Sequence, residues 1–454
     1  MLYTSKVLAA LAEKRDYFQG FGADFGKQVS GYREALRQLG QRYPSAAAIS
    51  AKLAARADAL PAGALPTQEY DRWRALVGDP AGGLIPVLTF HEQFEHHQQS
   101  RVWAERIRGI TTLAVDGSQL PPWRDASLPV GLIQVGLFEN PHDPPRPYVK
   151  DVLVEVLSPG DLAEGETLGQ RAVMQAALPG GTNGSGGEAG RSDQSSLTGP
   201  GGQGQQRSLH ESFAYSEQMV NLRRFELETQ TLVNWMRRYQ ERPAGERGPF
   251  PVVFYDGSLV VSFALTMPPA YRERYVSSAL SLLETSQSCR VPLIGYIDTS
   301  YARDVTTLLA RLFEQLPETK HLHDALLWQG VLDWGDRTPA FISARGDVLG
   351  GYGRFHEQVA FVYMQTTSQR PPARLEFPRW LLEADLLDAV LDVVRAEVII
   401  GNGYPYAIEA ADAVAVISLR DREEFYRLFQ DFAARNDLGL SFSSKILSKS
   451  RRRV

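Results

Sequence analysis

Cysteine is almost missing: Cys289 is the only one in 454 residues, which excludes an intramolecular disulfide, a multi-thiolate zinc site and an iron–sulfur cluster. Long apolar runs are missing as well. No stretch approaches the roughly 20 apolar residues of a membrane helix, and MLYTSKVLAALAEKRDYF breaks at Glu13, Lys14, Arg15 and Asp16, too early for a secretory leader. A cytoplasmic location is the expectation. Charge of one sign is not in excess either: 48 Lys and Arg face 53 Asp and Glu, net −5, so any polyanion has to be met by local patches. No Gly-x-x-x-x-Gly-Lys-Ser/Thr loop occurs, which excludes a P-loop nucleotide site. What is present is ordinary globular composition, 43% hydrophobic and 22% charged, with enough length for two or three domains.

Residues 1–108 read as a helical region. Val7, Leu8 and Leu11, then Tyr32, Leu36 and Leu39, recur at helical spacing, with turns signalled at Pro61, Pro66 and Pro80. This region is the candidate surface for dimerisation or partner contact. Its HEQFE, 91–95, falls one residue short of His-Glu-x-x-His. Because Glu95 stands where the second imidazole belongs, the segment reads as a solvated helix face.

After Gly109 the texture turns to strands at 110–118, 129–139 and 147–157, an antiparallel meander. The segment 179–207, PGGTNGSGGEAGRSDQSSLTGPGGQGQQR, has Leu197 as its only large aliphatic residue and reads as a disordered insertion. A long helix over about 209–240 follows, with Leu222, Phe225, Leu232, Val233 and Met236 on one face. Strands at 251–261 and 291–300 alternate with helices at about 271–286 and through Phe313, which implies parallel pairing beside the meander. Further strands near 339–344 and 358–366 precede a helix at about 378–395. The 401–419 segment closes the second domain, 109–420. A C-terminal helix and a basic tail, with Arg451, Arg452 and Arg453, make up 421–454.

Two apolar strands each run into Asp-Gly-Ser: AVDGSQ at 114–119 and FYDGSL at 254–259. A carboxylate at a strand end sits at the sheet edge, where glycine lets the backbone turn and a cation or phosphate approach. One Asp-Gly is more often only a turn; two matched copies favour chemistry. Phosphodiester hydrolysis with Mg²⁺ or Mn²⁺ needs three or four gathered carboxylates. Asp116, Asp256, Asp298 at the end of PLIGYID, and a helix glutamate are the candidates, with Asp412 in EAADAV; the competing role for Asp298 is a helix cap. His356, in GRFHEQ, is a lone histidine left outside the site.

With AVDGSQ, LRRFELETQTL, FYDGSL, PLIGYIDTSYARDV and GYPYAIEAADAVAVI in order over about 105–420, the chain resembles the NurA family of DNA-end-processing nucleases. The resemblance implies an RNase H-like α/β fold, a mixed sheet of three antiparallel and then parallel strands with flanking helices. It also implies a homodimer, 5′–3′ exonuclease and single-strand endonuclease activity dependent on Mn²⁺ or Mg²⁺, and partnership with a HerA-type hexameric ATPase in DNA repair or defence. Asp116 and Asp256 match the family's metal-binding aspartates. The helix carboxylate is Glu228, with Glu226 as the alternative. Asp298 stands where the family often has lysine, and Asp412 where it often has histidine; both are carried as catalytic residues.

On that reading two ions are expected, Asp116 bridging them and Asp256 and Glu228 holding one each. DNA contacts are expected from Arg223, Arg224, Arg303, Tyr404 and Tyr406. With no P-loop in the chain, movement along duplex has to be powered by the ATPase. One rival is a catalytically weak adaptor that docks on the ATPase and DNA. Another is a metal-independent carboxylate-pair hydrolase such as a glycosidase.

Overall fold

The computed structural model describes residues 2–56, 61–78, 83–123, 126–163, 204–317, 319–346, 350–355 and 357–440. The expected insertion at 179–203, His356 and the basic tail lie outside them. The helices are α1 (Thr4–Glu13), α2 (Arg15–Arg42), α3 (Ala46–Ala54), α4 (Gln68–Val77), α5 (His97–Ala104), α6 (Gly204–Glu241), α7 (Pro269–Cys289), α8 (Asp304–Leu312), α9 (Ala325–Trp328), α10 (Trp380–Glu383), α11 (Leu387–Ile400), α12 (Tyr406–Ala415) and α13 (Leu419–Arg435). The strands are β1 (Gly63–Pro66), β2 (Thr112–Leu120), β3 (Gly131–Asn140), β4 (Val149–Leu157), β5 (Val252–Asp256), β6 (Leu293–Ile297), β7 (Phe341–Ala344), β8 (Val359–Met364) and β9 (Ala373–Pro378). No helix among the described residues is long and apolar enough to cross a membrane.

The strands form one sheet in the order β1-β7-β8-β9-β6-β5-β2-β3-β4. The antiparallel meander β2–β3–β4 and the parallel pairs β2–β5 and β5–β6 appear as read from the sequence. The order β4-β3-β2-β5-β6 is that of an RNase H-like sheet, and the protein is mixed α/β. Beyond β6 the sheet turns antiparallel again through β9, β8 and β7. The alternation along the strands sorts the two cores. Leu113, Val115, Val253 and Tyr255 pack against α6 and α7. Ala114, Phe254, Ile294 and Tyr296 pack against α11 and α12 on the opposite face.

Several readings need correction. Residues 1–108 are mostly helical, but β1 pairs with β7, so this region is built into the sheet. Arg337, 2% exposed, donates through both Nη atoms to Glu69 of α4 at 2.6 Å and through Nη2 to Asp388 of α11 at 2.6 Å. A third core packs Tyr32, Leu36 and Leu39 of α2 against Leu308 of α8 and Phe361 and Tyr363 of β8. HEQFE precedes α5 and is not helical. Residues 204–207, read as part of the insertion, begin α6. The strand β9 was not foreseen, and the expected helix at 378–395 divides into α10 and α11.

Candidate active site

The site is set first by strand register. β2 and β5 run parallel from Thr112↔Val252 to Val115↔Tyr255, an offset of 140 residues (252 − 112), and 140 is also the separation of Asp116 from Asp256. The two aspartates therefore stand level on neighbouring strands, both two residues on from side chains of the α11–α12 core and so on that face. Asp298, just past β6, is two residues beyond Tyr296 of the same core.

The two Asp-Gly-Ser copies then part company. β5 stops at Asp256, and Gly257 turns at φ 144°, a conformation that suits glycine. β2 instead continues through Gly117 to Leu120, so the expected strand end is not there. Gly117 has another reason to lack a Cβ: one built there would lie 2.3 Å from Glu228 Oε1 and 2.9 Å from Arg224 Cγ. The bare backbone lets α6 press Glu228 against the strand from the opposite face. Arg224 Nη1 donates to the Gly117 carbonyl at 2.8 Å, seating the helix there.

Asp412 arrives on α12. Gly136 is the cross-strand partner of Asp116, and a Cβ there would meet Ala411 O at 2.6 Å and Ala415 N at 2.7 Å. Glycine inside a strand marks such a close approach. Both ends of α12 are tied to β2. Buried Glu397 accepts from Thr112 Oγ1 at 2.9 Å and from Ala407 N at 2.8 Å, and Ile417 N donates to Ser118 Oγ at 3.3 Å.

The electrostatics follow from this crowding. Burial, together with Asp256 and a hydrogen bond shared with Asp412, pushes Asp116 up to about 6 against the opposing Gly117 amide. Glu228, 6% exposed, is pushed up to about 7 by burial and then by Asp116 and Asp256, with Arg224 pulling the other way. Desolvation in the cleft, then Asp412 and Asp298, raise Asp256, while the Tyr404 hydroxyl, donating at 2.9 Å, holds it down. Glu228 Oε1 and Arg224 Nε are both buried without a hydrogen-bond partner, and their separation of 3.6 Å is too long for one.

A buried orphan oxygen among carboxylates that raise one another's pKa is a donor set suited to a hard divalent cation. Asp116, Asp256 and Glu228, with Asp412 alongside, fit one. Among the described residues no three His, Cys, Asp or Glu side chains are drawn into a ligation sphere.

The other sequence candidates are placed as follows. Glu226 points away from the cluster, bound by Arg274 through Nε at 2.7 Å and Nη2 at 2.8 Å. Arg223 bridges Glu226 and Glu155 at 2.8 Å each, also outside it. Arg224 borders the cluster. Arg303 is exposed, with Nη1 on the Thr319 carbonyl at 3.1 Å. Tyr404 stacks edge-on against Tyr296 at 5.1 Å, and Tyr406 against Phe138 at 5.6 Å, part of the core packing. Sequence reasoning missed Arg370, whose Nη1 lies 3.1 Å from Asp298 Oδ2, and Glu376, which accepts from Ser258 Oγ at 2.8 Å and Leu259 N at 2.8 Å. Gly136, inside the strand GLIQVGLFE, was the available signal for α12.

An RNase H-like sheet with a carboxylate cluster across the neighbouring strands β2 and β5 defines the class of protein. The particular family follows from the family-model match: residues 110–417 match the NurA domain, and the chain belongs to the NurA family, its matched region a NurA-family nuclease domain. Among solved structures the chain is similar to NurA with manganese, at 11% identity over 80% of this chain and 98% of that one, TM-score 0.31. It is similar to NurA bound to dAMP and manganese, at 11% identity over 78% and 91%, TM-score 0.31. It is also similar to Ciona intestinalis endonuclease V in complex with an inosine-containing DNA, at 9% identity over 73% and 96%, TM-score 0.25. None of these similarities carries a residue-by-residue correspondence. No curated protein matches the chain.

Proposed function

We propose that the chain is a divalent-metal-dependent DNA nuclease, a 5′–3′ exonuclease and single-strand endonuclease that works on DNA ends. The observation that carries this is the level placement of Asp116 and Asp256 with the orphaned Glu228 carboxylate brought beside them over Gly117. Asp116, Asp256 and Glu228 would hold Mn²⁺ or Mg²⁺, with Asp412 and Asp298 at the rim. The bound ions would supply positive charge against the phosphodiester, lower the pKa of the attacking water and stabilise the leaving oxygen. The protein's own part is orientation: Tyr404 donates to Asp256 and aims it, Arg224 seats α6 on β2, and Glu397 and Ser118 fix α12.

Two further partners belong to this reading. A HerA-type hexameric ATPase would feed duplex to a chain without a P-loop. A second copy of the chain would cover α1 and the start of α2, where Leu8, Leu11, Tyr17, Phe18 and Phe21 are exposed and α1 buries none of its residues. Removing residues 2–22 should lower the mass in solution to that of one chain; an unchanged mass places the dimer elsewhere.

The deciding experiment is cleavage of end-labelled duplex and single-stranded DNA with Mn²⁺, Mg²⁺ or chelator, comparing wild type with Asp116→Asn and Asp256→Asn, with and without the ATPase. Metal-dependent cutting that both folded variants lose is the expected result. Stable ATPase binding with no cutting under any condition would leave the adaptor instead.

A further inference from the structure

Beside the carboxylate cluster, a cavity of about 740 Å³ opens between the ends of β5 and β6, the start of α8 and β1. Its walls include the loops that carry two of the carboxylates: Ser258 is two residues from Asp256, and Thr299 follows Asp298. The opposite walls bring in Arg303, Arg311, Arg345 and Arg374, against only two lining acids, Asp304 and Glu376. In a chain of net charge −5, four guanidinium groups around one cavity are a local reversal of sign.

The pairing within the walls shows which cations are committed. Arg374 is 2% exposed. Its Nε donates to Glu376 Oε1 at 2.8 Å, its Nη1 lies 2.8 Å from Asp304 Oδ2, and its guanidinium covers the Phe361 ring at 3.7 Å. It is a fixed floor whose single charge is shared between the two acids. Arg345 is ion-paired with Asp304 at 3.7 Å without a hydrogen bond, its other nitrogens open to a ligand, and Arg303 gives one nitrogen to a backbone carbonyl and is exposed. The cavity keeps a surplus of positive charge beside the hydroxyls of Thr299 and Ser300. Guanidinium groups with hydroxyl donors are the chemistry of phosphate recognition.

We propose that this cavity is a phosphate subsite that seats the backbone of the DNA strand next to the bond held at the carboxylate cluster, with Arg303 and Arg345 as its ligating cations. The source of the phosphate follows from placement. The same two loops form the cavity rim and present Asp256 and Asp298, so a strand whose scissile phosphate lies at the cluster runs on into the arginines. The proposal rests on the nuclease reading for the identity of the strand, and on the cavity alone for the phosphate chemistry.

The test uses the full chain in chelator, so that binding is read without cleavage. Fluorescence anisotropy of a labelled single-stranded oligonucleotide is followed across a salt series for wild type, Arg303→Gln, Arg345→Gln and the double variant, with thermal melts as the folding control. Each single variant should weaken binding about tenfold and lower the log–log salt slope by about 0.7, the value for one lost phosphate contact on a single strand. Unchanged affinity and slope in the folded double variant overturn the proposal, whatever the cleavage assay gives. If inorganic phosphate displaces bound phosphate in an arginine-dependent way while oligonucleotide binding ignores the arginines, the DNA source is overturned. If the oligonucleotide binds through the arginines but no metal supports cleavage, the phosphate subsite stands and the nuclease reading fails.

Discussion

Glu228→Gln in ion-free protein is the sharpest probe of the cluster. Burial raises the Glu228 carboxyl from 4.5 to about 7, and at about 1.4 kcal/mol per pH unit this is on the order of 3 kcal/mol. At 6% exposure, little of that is lost to solvent screening. The folded state holds this proton more tightly than the unfolded chain does. The stabilising contribution is therefore complete below about pH 4.5 and is lost as pH rises through about 7. Glutamine is neutral throughout. With chelator, the variant should match wild type near pH 5 and exceed it by up to about 3 kcal/mol near pH 8.5, read by denaturant unfolding at each pH. Adding Mn²⁺ at pH 8 should reverse the order, because the wild type, with one more carboxylate for the ion, gains more from linkage to it. A pH-independent difference, or a variant less stable than wild type at pH 8.5 in chelator, would refute the reasoning. It would mean that Glu228 is ionised and well paired with Arg224 despite the 3.6 Å gap.

Gly117→Ala should leave stability within about 2 kcal/mol, since the clashing atoms belong to side chains that can swing, yet cut turnover at least about a hundredfold by displacing Glu228; wild-type turnover in a folded variant would sink this. Tyr404→Phe removes the donor that holds Asp256 down, so the acidic limb of the pH–rate profile should move to higher pH, from the loss of a hydrogen bond to a charged group; an unmoved limb would show that Tyr404 only packs. Arg337→Met should cost about 3 kcal/mol by leaving the buried Glu69 with only the Ala340 amide at 2.8 Å and Arg72 at 3.8 Å, and a loss under 1 kcal/mol in chemical unfolding would argue that α4 is peripheral.

Much of the nuclease domain was legible because each core strand carries its own local signal. The strands β2 to β6 alternate or run apolar between Gly, Pro and Asp, and the apolar face of α6 repeats at helical spacing. What escaped depended on contacts distant in sequence. β9 escaped because ARLEFP buries Arg374 and Glu376, the arginine pairing with both Glu376 and Asp304, so its polar residues do not look like a strand. β1 is four residues long and takes its structure from β7. The choice between Glu226 and Glu228 rests on Arg274 in α7, which binds Glu226 across a helix pair. The nearness of Asp412 to Asp116 rests on Gly136, a residue of a strand that carries no carboxylate of the site.

The repeated Asp-Gly-Ser is better explained as two solutions to two steric demands than as one motif used twice. At Gly257 the constraint is the backbone: the chain must leave β5 at φ 144°, and Ser258 then binds Glu376 of β9. At Gly117 the backbone stays extended and the constraint is space for Glu228, while Ser118 accepts from the chain leaving α12. In each copy the aspartate faces the cluster, the glycine removes an obstacle to bringing it there, and the serine fastens the next element of the site. Thus Ser118→Ala should loosen α12 and Asp412, whereas Ser258→Ala should act on the turn after Asp256 and on Glu376. The two changes should be additive in unfolding free energy to within about 0.5 kcal/mol, because they touch no common partner. Strong coupling between them would mean that the two copies hold one shared structure instead.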